Sequence, residues 1–245
     1  MARPREHLSN APIVEAVIDF RVLRDVSVSP DTFARLSSSI GERYSQAGSI
    51  HSFEARFEID SGKVLDRAQR RADLGWKYQA ETEVALFRVD GFTFSKIVPY
   101  TTWEDVFGEA FRLWNIYLGL AKPKQLSRIA VRYINRIGVR GSRNISEFLE
   151  APPLLPQPIP QVMRDFLTRV HVSDNRRHSA AVIVQALEPQ IDPNVMSLLL
   201  DIDAYHETTL APSDPGIRAL FQQLRELKNE IFYASITEKT AEMYQ

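Results

Sequence analysis

One stretch, residues 127–140, constrains the fold of this chain more than any other. Its sequence, SRIAVRYINRIGVR, alternates in character, and because successive side chains of a β-strand point to opposite faces, it predicts a long strand. The first face, called here the arginine face, carries Arg128, Ala130, Arg132, Ile134, Arg136 and Arg140. The second face is mostly apolar and carries Ile129, Val131, Tyr133, Asn135, Ile137 and Val139. The arginines must therefore pair with carboxylates or bind an anionic ligand.

The charge balance limits what these arginines can bind. The 245-residue chain has 30 Lys plus Arg and 31 Asp plus Glu, so its net charge of -1 gives no overall attraction for nucleic acid or anionic membranes. Binding of nucleic acid or a nucleotide would need a local arginine patch. Cysteine is absent, which excludes disulfides, thiolate nucleophiles and cysteine zinc sites. The sequence has no apolar run of signal-peptide or membrane-span length, so we expect a cytoplasmic protein with no membrane contact.

Hydrophobic periodicity and turn residues predict a mixture of strands and helices. Alternation indicates strands at Ile13–Val22 and residues 195–205, and Asp90-Gly91 is typical of a hairpin turn. Capping residues predict that one long helix begins after Thr102 and a second near Pro215. We therefore expect an α+β fold.

Three further segments are predicted from weaker patterns. Ser29-Pro30-Asp31 resembles a helix start, and the spacing of the apolar residues after it predicts a helix: Phe33, Leu36, Ile40 and Tyr44. Residues 61–73 are charged without a clean period and are interpreted as a mobile loop or ragged strand ends. Residues 162–172, after a proline-rich connector, are predicted to be helical.

The order of predicted elements repeats along the chain. Each half contains a strand, a helix, further strands and a long helix, which suggests two β-α-β-β-α-like pseudo-repeats at about 10–121 and 125–234. A C-terminal helical extension, 235–245, would follow them. The expected architecture is a single domain, 1–245, with a mostly antiparallel sheet and its long helices packed on one face. The other face would carry the charged side chains.

The charged face suggests a binding site for an anion. Arginine forks hold phosphate or carboxylate groups through two parallel hydrogen bonds. The candidate ligand-binding residues are Arg128, Arg132, Arg136, Tyr133 and Asn135. Cross-strand ion pairs alone would also explain the pattern, since opposite charges on neighbouring strands stabilise a sheet by about 0.2–1 kcal/mol each.

The carboxylates near these arginines allow an alternative. Two aspartates two residues apart on a strand point the same way, as shared metal ligands would. The candidate ligands of Mg²⁺ or Mn²⁺ are Glu15, Asp19, Asp201 and Asp203. In that case the protein would be a metal-dependent phosphoesterase or a nuclease-like enzyme, with arginines holding the phosphoryl group. The leading hypothesis assigns no cofactor and no catalytic residue.

Familiar catalytic motifs are missing from the sequence. It has no G-x-S-x-G, no phosphate-binding glycine loop and no dinucleotide-binding fingerprint, and its five histidines show no metal-ligand spacing. P-loop nucleotide hydrolysis and hydride transfer are therefore not expected.

Four segments together resemble an uncharacterised, sporadically distributed prokaryotic protein family of similar length. They are LSNAPIVEAV at 8–17, RYINRI at 132–137, LLDID at 199–203 and FYASITEK at 232–239. The resemblance spans nearly the whole chain and implies one full-length domain. Its sporadic occurrence implies an accessory system, of the defence or toxin-control type. We therefore expect a non-enzymatic binding or regulatory protein that uses the charged face to bind an anionic ligand, a protein partner or a second copy of itself.

Overall fold

The computed structural model describes residues 8–25, 27–60, 63–142, 144–188 and 194–245, and it describes side chains outside 53–71. Within these residues, nine strands form an antiparallel sheet in the order β2-β3-β4-β5-β1-β6-β9-β8-β7. The strands are β1 Ile13–Val22, β2 Gln46–Asp60, β3 Lys63–Gln79, β4 Glu83–Arg88, β5 Gly91–Ile97, β6 Leu126–Arg140, β7 Phe166–Asp174, β8 Ser179–Glu188 and β9 Val195–Glu207. The α-helices are α1 Ser37–Ile40, α2 Trp103–Ala121, α3 Ile217–Ser235 and α4 Glu238–Glu242. The predicted α+β class with a mostly antiparallel sheet is confirmed.

The predicted arginine strand is β6, and it lies at the centre of the sheet between β1 and β9. Its burial alternates as its sequence does: Ile129, Val131 and Tyr133 are buried, whereas Arg132 and Arg136 are exposed. The alternation follows from the pleat, which turns the apolar set toward the helices and the arginines away from them.

Aromatic side chains join the two long helices to the sheet. The ring of Phe20 on β1 stacks on Trp114 of α2 with centroids 4.3 Å apart and contacts Phe221 of α3 at 4.9 Å. Both helices therefore cover the face of β1 that carries Phe20. Helix α2 begins as predicted, because the Thr102 hydroxyl accepts a hydrogen bond from the backbone N–H of Asp105. Within the described residues, no helix is long and apolar enough to cross a membrane.

The hairpin predicted at Asp90-Gly91 joins β4 to β5. Gly91 has a φ of +149°, and a Cβ at this position would lie 2.1 Å from the carbonyl oxygen of Phe20 on β1. Only glycine fits, because the backbone of the turn approaches the neighbouring strand too closely for a side chain.

The single helix predicted after Ser29 is wrong. The segment forms a 3-10 helix at Pro30–Phe33 and the short helix α1 instead. The hydroxyl of Tyr78 accepts a hydrogen bond from the Leu36 N–H and donates one to the Phe33 carbonyl, at 3.1 and 2.5 Å. These bonds to β3 take the place of backbone bonds that a continuous helix would use.

Two other predictions of local structure are also corrected. The mobile loop or ragged strand ends predicted at 61–73 are instead largely part of the continuous strand β3, which pairs with β2 in a long hairpin; residues 61 and 62 lie outside the described residues. The helix predicted at 162–172 is strand β7, paired with β8. Its β-branched residues Thr168, Val170 and Val172 favour a strand. The apolar spacing fits both the helical and the strand period, and pairing with β8 determines that the segment is a strand.

Candidate functional site

The predicted ligand-binding arginines of β6 lie on the face of the sheet away from α3, and each is paired. Arg132 donates from Nε and Nη2 to the two carboxylate oxygens of Asp201, at 2.8 and 2.6 Å. Arg128 donates to Asp203 at 2.7 Å and to Asp19 at 3.4 Å. The hydrogen bonds that Arg132 donates to Asp201 hold the pKa of Arg132 above its usual value. The guanidinium groups that would bind an anion are thus already hydrogen-bonded to carboxylates of the protein.

Arg136 is bound in the same way at the far end of β6. Its guanidinium donates to both carboxylate oxygens of Glu188 at 2.8 and 3.1 Å, and the Ser197 hydroxyl donates to the same carboxylate at 2.6 Å. The bonds from Arg136 lower the pKa of Glu188. Only Arg140 of this row makes no ion pair to a residue in the described ranges.

Asp19, a candidate metal ligand, lies in a second network on β1, β4 and β5. Its carboxylate accepts hydrogen bonds from Thr93 at 2.5 Å and from Arg21 at 3.1 Å. Arg88, whose side chain is buried, donates to Thr93 at 2.8 Å and bonds to Asp90 at 3.0 Å. These contacts use the oxygens that a cation would need.

The other candidate metal ligands are not brought together either. Asp201 and Asp203 bind Arg132 and Arg128, and Glu15 lies on β1 opposite Ile134. Among the residues that the structure describes, no three His, Asp or Glu side chains are grouped so that they could hold a metal ion. The carboxylates form ion pairs with arginines instead of a ligand set.

The two remaining predicted ligand residues, Tyr133 and Asn135, lie on the opposite face of β6, beneath α3. There they line a pocket of about 390 Å³. Its walls come from the segment that leads into β1, from the segment after β5, from β6 and from α3. They include Leu8, Asn10, Ile13, Tyr100, Tyr133, Asn135, Arg225, Lys228, Asn229 and Phe232. No carboxylate lines this pocket among the described residues. We call it the Lys228 pocket.

Lys228 is the most unusual residue of the pocket. It is 7% exposed, and its ammonium nitrogen lies 3.7 Å from the centre of the Tyr133 ring. Within the described residues it makes no hydrogen bond or ion pair, so an attractive ring face is the only compensation for its buried charge. Burial, with a smaller contribution from Arg225, lowers the pKa of Lys228 to about 7.

Polar groups beside Lys228 are held in fixed positions. The hydroxyls of Tyr100 and Tyr133 are 2.9 Å apart, and burial raises the pKa of both phenols. The Asn135 amide donates to the Leu200 carbonyl at 3.0 Å. Arg225 lies over the Trp103 ring at 5.2 Å, and its nearest carboxylate oxygen, on the exposed Glu104, is 3.6 Å away.

Two larger grooves lie elsewhere on the surface. One of about 790 Å³ contains Arg177, but this guanidinium is bound to both Asp174 and Glu230. The other, of about 850 Å³, is lined by the proline-rich connector and by apolar side chains such as Met163 and Met196. The Lys228 pocket is smaller, but it contains a buried cation that has no counterion among the residues described by the structure.

Sequence reasoning found Tyr133 and Asn135 but missed Lys228, Arg225 and Tyr100. A signal for Lys228 was present. It lies four residues after Leu224 and four before Phe232, within the apolar stripe of α3, where the helical period predicts a buried side chain. A lysine in that stripe indicates a buried amine.

No protein-family model matches the chain, and no curated protein matches its sequence. The resemblance to an uncharacterised prokaryotic family therefore stays a prediction. Three of the four segments on which it rests, 8–17, 132–137 and 232–239, contribute residues to the Lys228 pocket.

Proposed function

We propose that the protein binds a small organic anion with an apolar body in the Lys228 pocket, and that it acts as a binding or regulatory protein. The observation that carries this proposal is a buried lysine for which the described part of the chain provides no counterion, in a pocket that none of its carboxylates lines. An anion would supply the missing partner, and buried charges in proteins are normally paired.

The size and character of the pocket support a small ligand. Its volume of about 390 Å³ falls within the range of about 300–1,000 Å³ that is typical of small-molecule sites. Leu8, Ile13 and Phe232 would contact the apolar body, while Arg225 and Lys228 would face the anionic group. A nucleic acid strand would need an open groove with free arginines instead, and the arginines of β6 from Arg128 to Arg136 are paired.

Ligand binding should be coupled to protonation of Lys228. An anion beside the amine favours its charged form, so binding above pH 7 should take up a proton. Calorimetric titration with phenylacetate and phenyl phosphate, in two buffers of different ionisation enthalpy, measures this uptake directly. We expect binding with an uptake approaching one proton at pH 8.

Two variants of similar chemistry make this test specific. Lys228→Met removes the amine from the pocket, whereas Lys124→Met removes an exposed lysine outside it. We expect the first change to abolish binding and proton uptake and the second to leave both unchanged. Binding that survives Lys228→Met would contradict the proposed function.

A protein contact is the second candidate, and the edge of the sheet favours it. Strand β7 pairs with β8 on one side only within the described residues, and three of its apolar side chains are exposed: Leu167, Val170 and Val172. An unpaired edge strand with exposed apolar residues is a template for adding a strand from another chain. Light scattering of the wild type and of Val170→Lys tests self-association; a monomer in both would contradict a homodimer.

Several finer predictions are kept as parts of this proposal. The pseudo-repeat at about 10–121 and 125–234 is supported by the pairing of the two first strands, β1 and β6, at the centre of the sheet. A role in an accessory system and a cytoplasmic location stay predictions. The metal-dependent enzyme would require that the ion pairs of Asp19, Asp201 and Asp203 open to admit a cation.

A further inference from the structure

Helix α3 presents two cations to the same pocket, one turn apart. Arg225 and Lys228 are three residues apart, a spacing that puts side chains on one face of a helix. The guanidinium of Arg225 is a planar fork of hydrogen-bond donors, whereas the buried Lys228 amine contacts only the face of the Tyr133 ring within the described residues. The two groups therefore differ in chemistry although both are basic.

We propose that Lys228 is a reactive amine that captures an oxo acid, a small anion with a ketone or aldehyde carbonyl beside its carboxylate, as an imine. This proposal rests on the proposed function, since the same pocket must first bind the anion. It stands on three observations: the burial of Lys228, its freedom from hydrogen bonds and ion pairs within the described residues, and its place at the wall of an open pocket.

The environment of Lys228 is the one that activates a lysine as a nucleophile. Desolvation by burial and the neighbouring Arg225 both favour the neutral amine, which is the form that attacks a carbonyl. With a pKa of about 7, about half of the Lys228 side chains are neutral at pH 7. An ordinary surface lysine with a pKa of about 10.4 is neutral at pH 7 in only about one molecule in 2,500.

The reaction needs no further reagent. The lone pair of Lys228 Nζ attacks the carbonyl carbon, a C–N bond forms, and a proton passes from nitrogen to the carbonyl oxygen to give a carbinolamine. Loss of one water then gives the C=N bond, and hydrolysis restores the free amine and the oxo acid. Tyr100 and Tyr133 keep their protons because burial raises their pKa, so neutral phenols that can donate a proton line the same pocket.

Arg225 gives the pocket its preference for an oxo acid over a simple aldehyde. Its guanidinium can hold a carboxylate through two hydrogen bonds, and among the described residues its ion-pair partner is Glu104, which lies 3.6 Å away and is 73% exposed. With the carboxylate at Arg225, the adjacent carbonyl carbon faces Lys228. An apolar substituent would extend toward Leu8 and Phe232.

Reductive trapping tests the proposal on the full chain. Phenylpyruvate is added at pH 7 with sodium cyanoborohydride, which reduces an imine to a stable secondary amine, and the adduct is located by intact mass and peptide mapping. We expect one adduct for each chain, on Lys228, and at least a tenfold loss of labelling in Lys228→Met. Adducts spread over surface lysines, or labelling that Lys228→Met leaves unchanged, would overturn the proposal.

A second measurement compares the binding of phenyllactate and phenylpyruvate to the wild-type protein. Phenyllactate has the same carboxylate and ring but no carbonyl, so it should protect Lys228 from trapping without being trapped itself. Stabilisation of the protein by phenyllactate and phenylpyruvate with no adduct from the latter refutes the imine and leaves anion binding intact. If neither compound stabilises the protein or binds to it, and no adduct forms, both proposals fail.

Discussion

Replacement of the buried Lys228 by methionine should stabilise the protein, by an amount that depends on pH. The pKa of Lys228 is lowered from 10.5 to about 7, a difference of about 3.5. At about 1.36 kcal/mol for each pKa unit, burial of the charged amine costs the native state about 5 kcal/mol. Methionine has a similar length and no charge, so the variant avoids this cost.

The sign of the pH dependence follows from which state binds the proton. Below pH 7 the native and unfolded chains both carry the charge, and the full cost of about 5 kcal/mol applies. Between pH 7 and 10.5 the unfolded chain keeps a proton that the native chain has lost, so wild-type stability rises with pH. The remaining cost is about 2 kcal/mol at pH 9. The advantage of Lys228→Met should therefore shrink from about 4.7 kcal/mol at pH 6 to about 2 kcal/mol at pH 9, a change of about 2.7 kcal/mol.

Urea denaturation followed by tryptophan fluorescence measures this difference, since Trp103 and Trp114 lie in or near the core. The quantity to compare is the difference in unfolding free energy between Lys228→Met and wild type, measured at pH 6 and at pH 9. Any change in packing caused by methionine is the same at both pH values, so it cancels in this comparison. Lys124→Met, at an exposed position, should show no pH-dependent gap. A gap between wild type and Lys228→Met that is equal at pH 6 and pH 9 would refute the reasoning, because Lys228 would then titrate as an ordinary lysine.

Three further substitutions test other parts of the structure. Arg132→Ala should lower the free energy of unfolding by about 1–3 kcal/mol, because it leaves the buried Asp201 carboxylate without its bidentate partner, and it should leave anion binding in the Lys228 pocket unchanged. Gly75→Ala should cost at least about 3 kcal/mol, because φ is +155° and a Cβ would lie 2.0 Å from the Phe87 carbonyl oxygen. Tyr78→Phe should cost about 2 kcal/mol by removing a hydroxyl that bridges two backbone groups. Chemical denaturation at pH 7 measures all three.

Control substitutions of the same type test whether these losses of stability are specific to the residues replaced. Arg140→Ala removes an exposed arginine with no ion pair in the described ranges, and it should change stability by less than about 0.5 kcal/mol. Gly48→Ala adds a methyl group where no atom lies within 4 Å, so it should be tolerated. If Arg132→Ala left stability unchanged while it weakened anion binding, the arginine face would be a ligand site after all.

The sequence predicted the two faces of β6 because the pleat alone determines them. It did not predict which carboxylates the arginines bind, because this depends on register and on side-chain direction. Arg132 lies directly opposite Asp203 on β9, yet it bonds to Asp201, its diagonal neighbour. Diagonal pairs lie within reach of a long side chain, so composition and spacing fit several pairings equally well.

The errors in secondary structure have a common physical origin. At Phe33–Tyr44 the apolar spacing correctly identified buried residues, but a tyrosine from β3 supplied hydrogen bonds that replaced those of a helix. In β7 the apolar residues fit either period, and pairing with β8 decided between them. In each case a strand from elsewhere in the chain determined the local structure. A prediction made from a short window of sequence does not include such a strand.

The position of the Lys228 pocket follows from an irregularity in the sheet. The pairing of β1 with β6 shifts register between Ile13 and Glu15, and Ile13 then faces Asn135 at the pocket wall. Such shifts interrupt the ladder and re-aim side chains, and they are frequent beside binding sites. On one face of β6, Arg128, Arg132 and Arg136 are neutralised by carboxylates of the sheet. On the other face, at this shift, α3 places Lys228 over Tyr133 with no anion provided by the described residues. The buried charge that the described residues leave without a counterion is therefore on the helix side, and an anionic ligand would stabilise the protein most at that position.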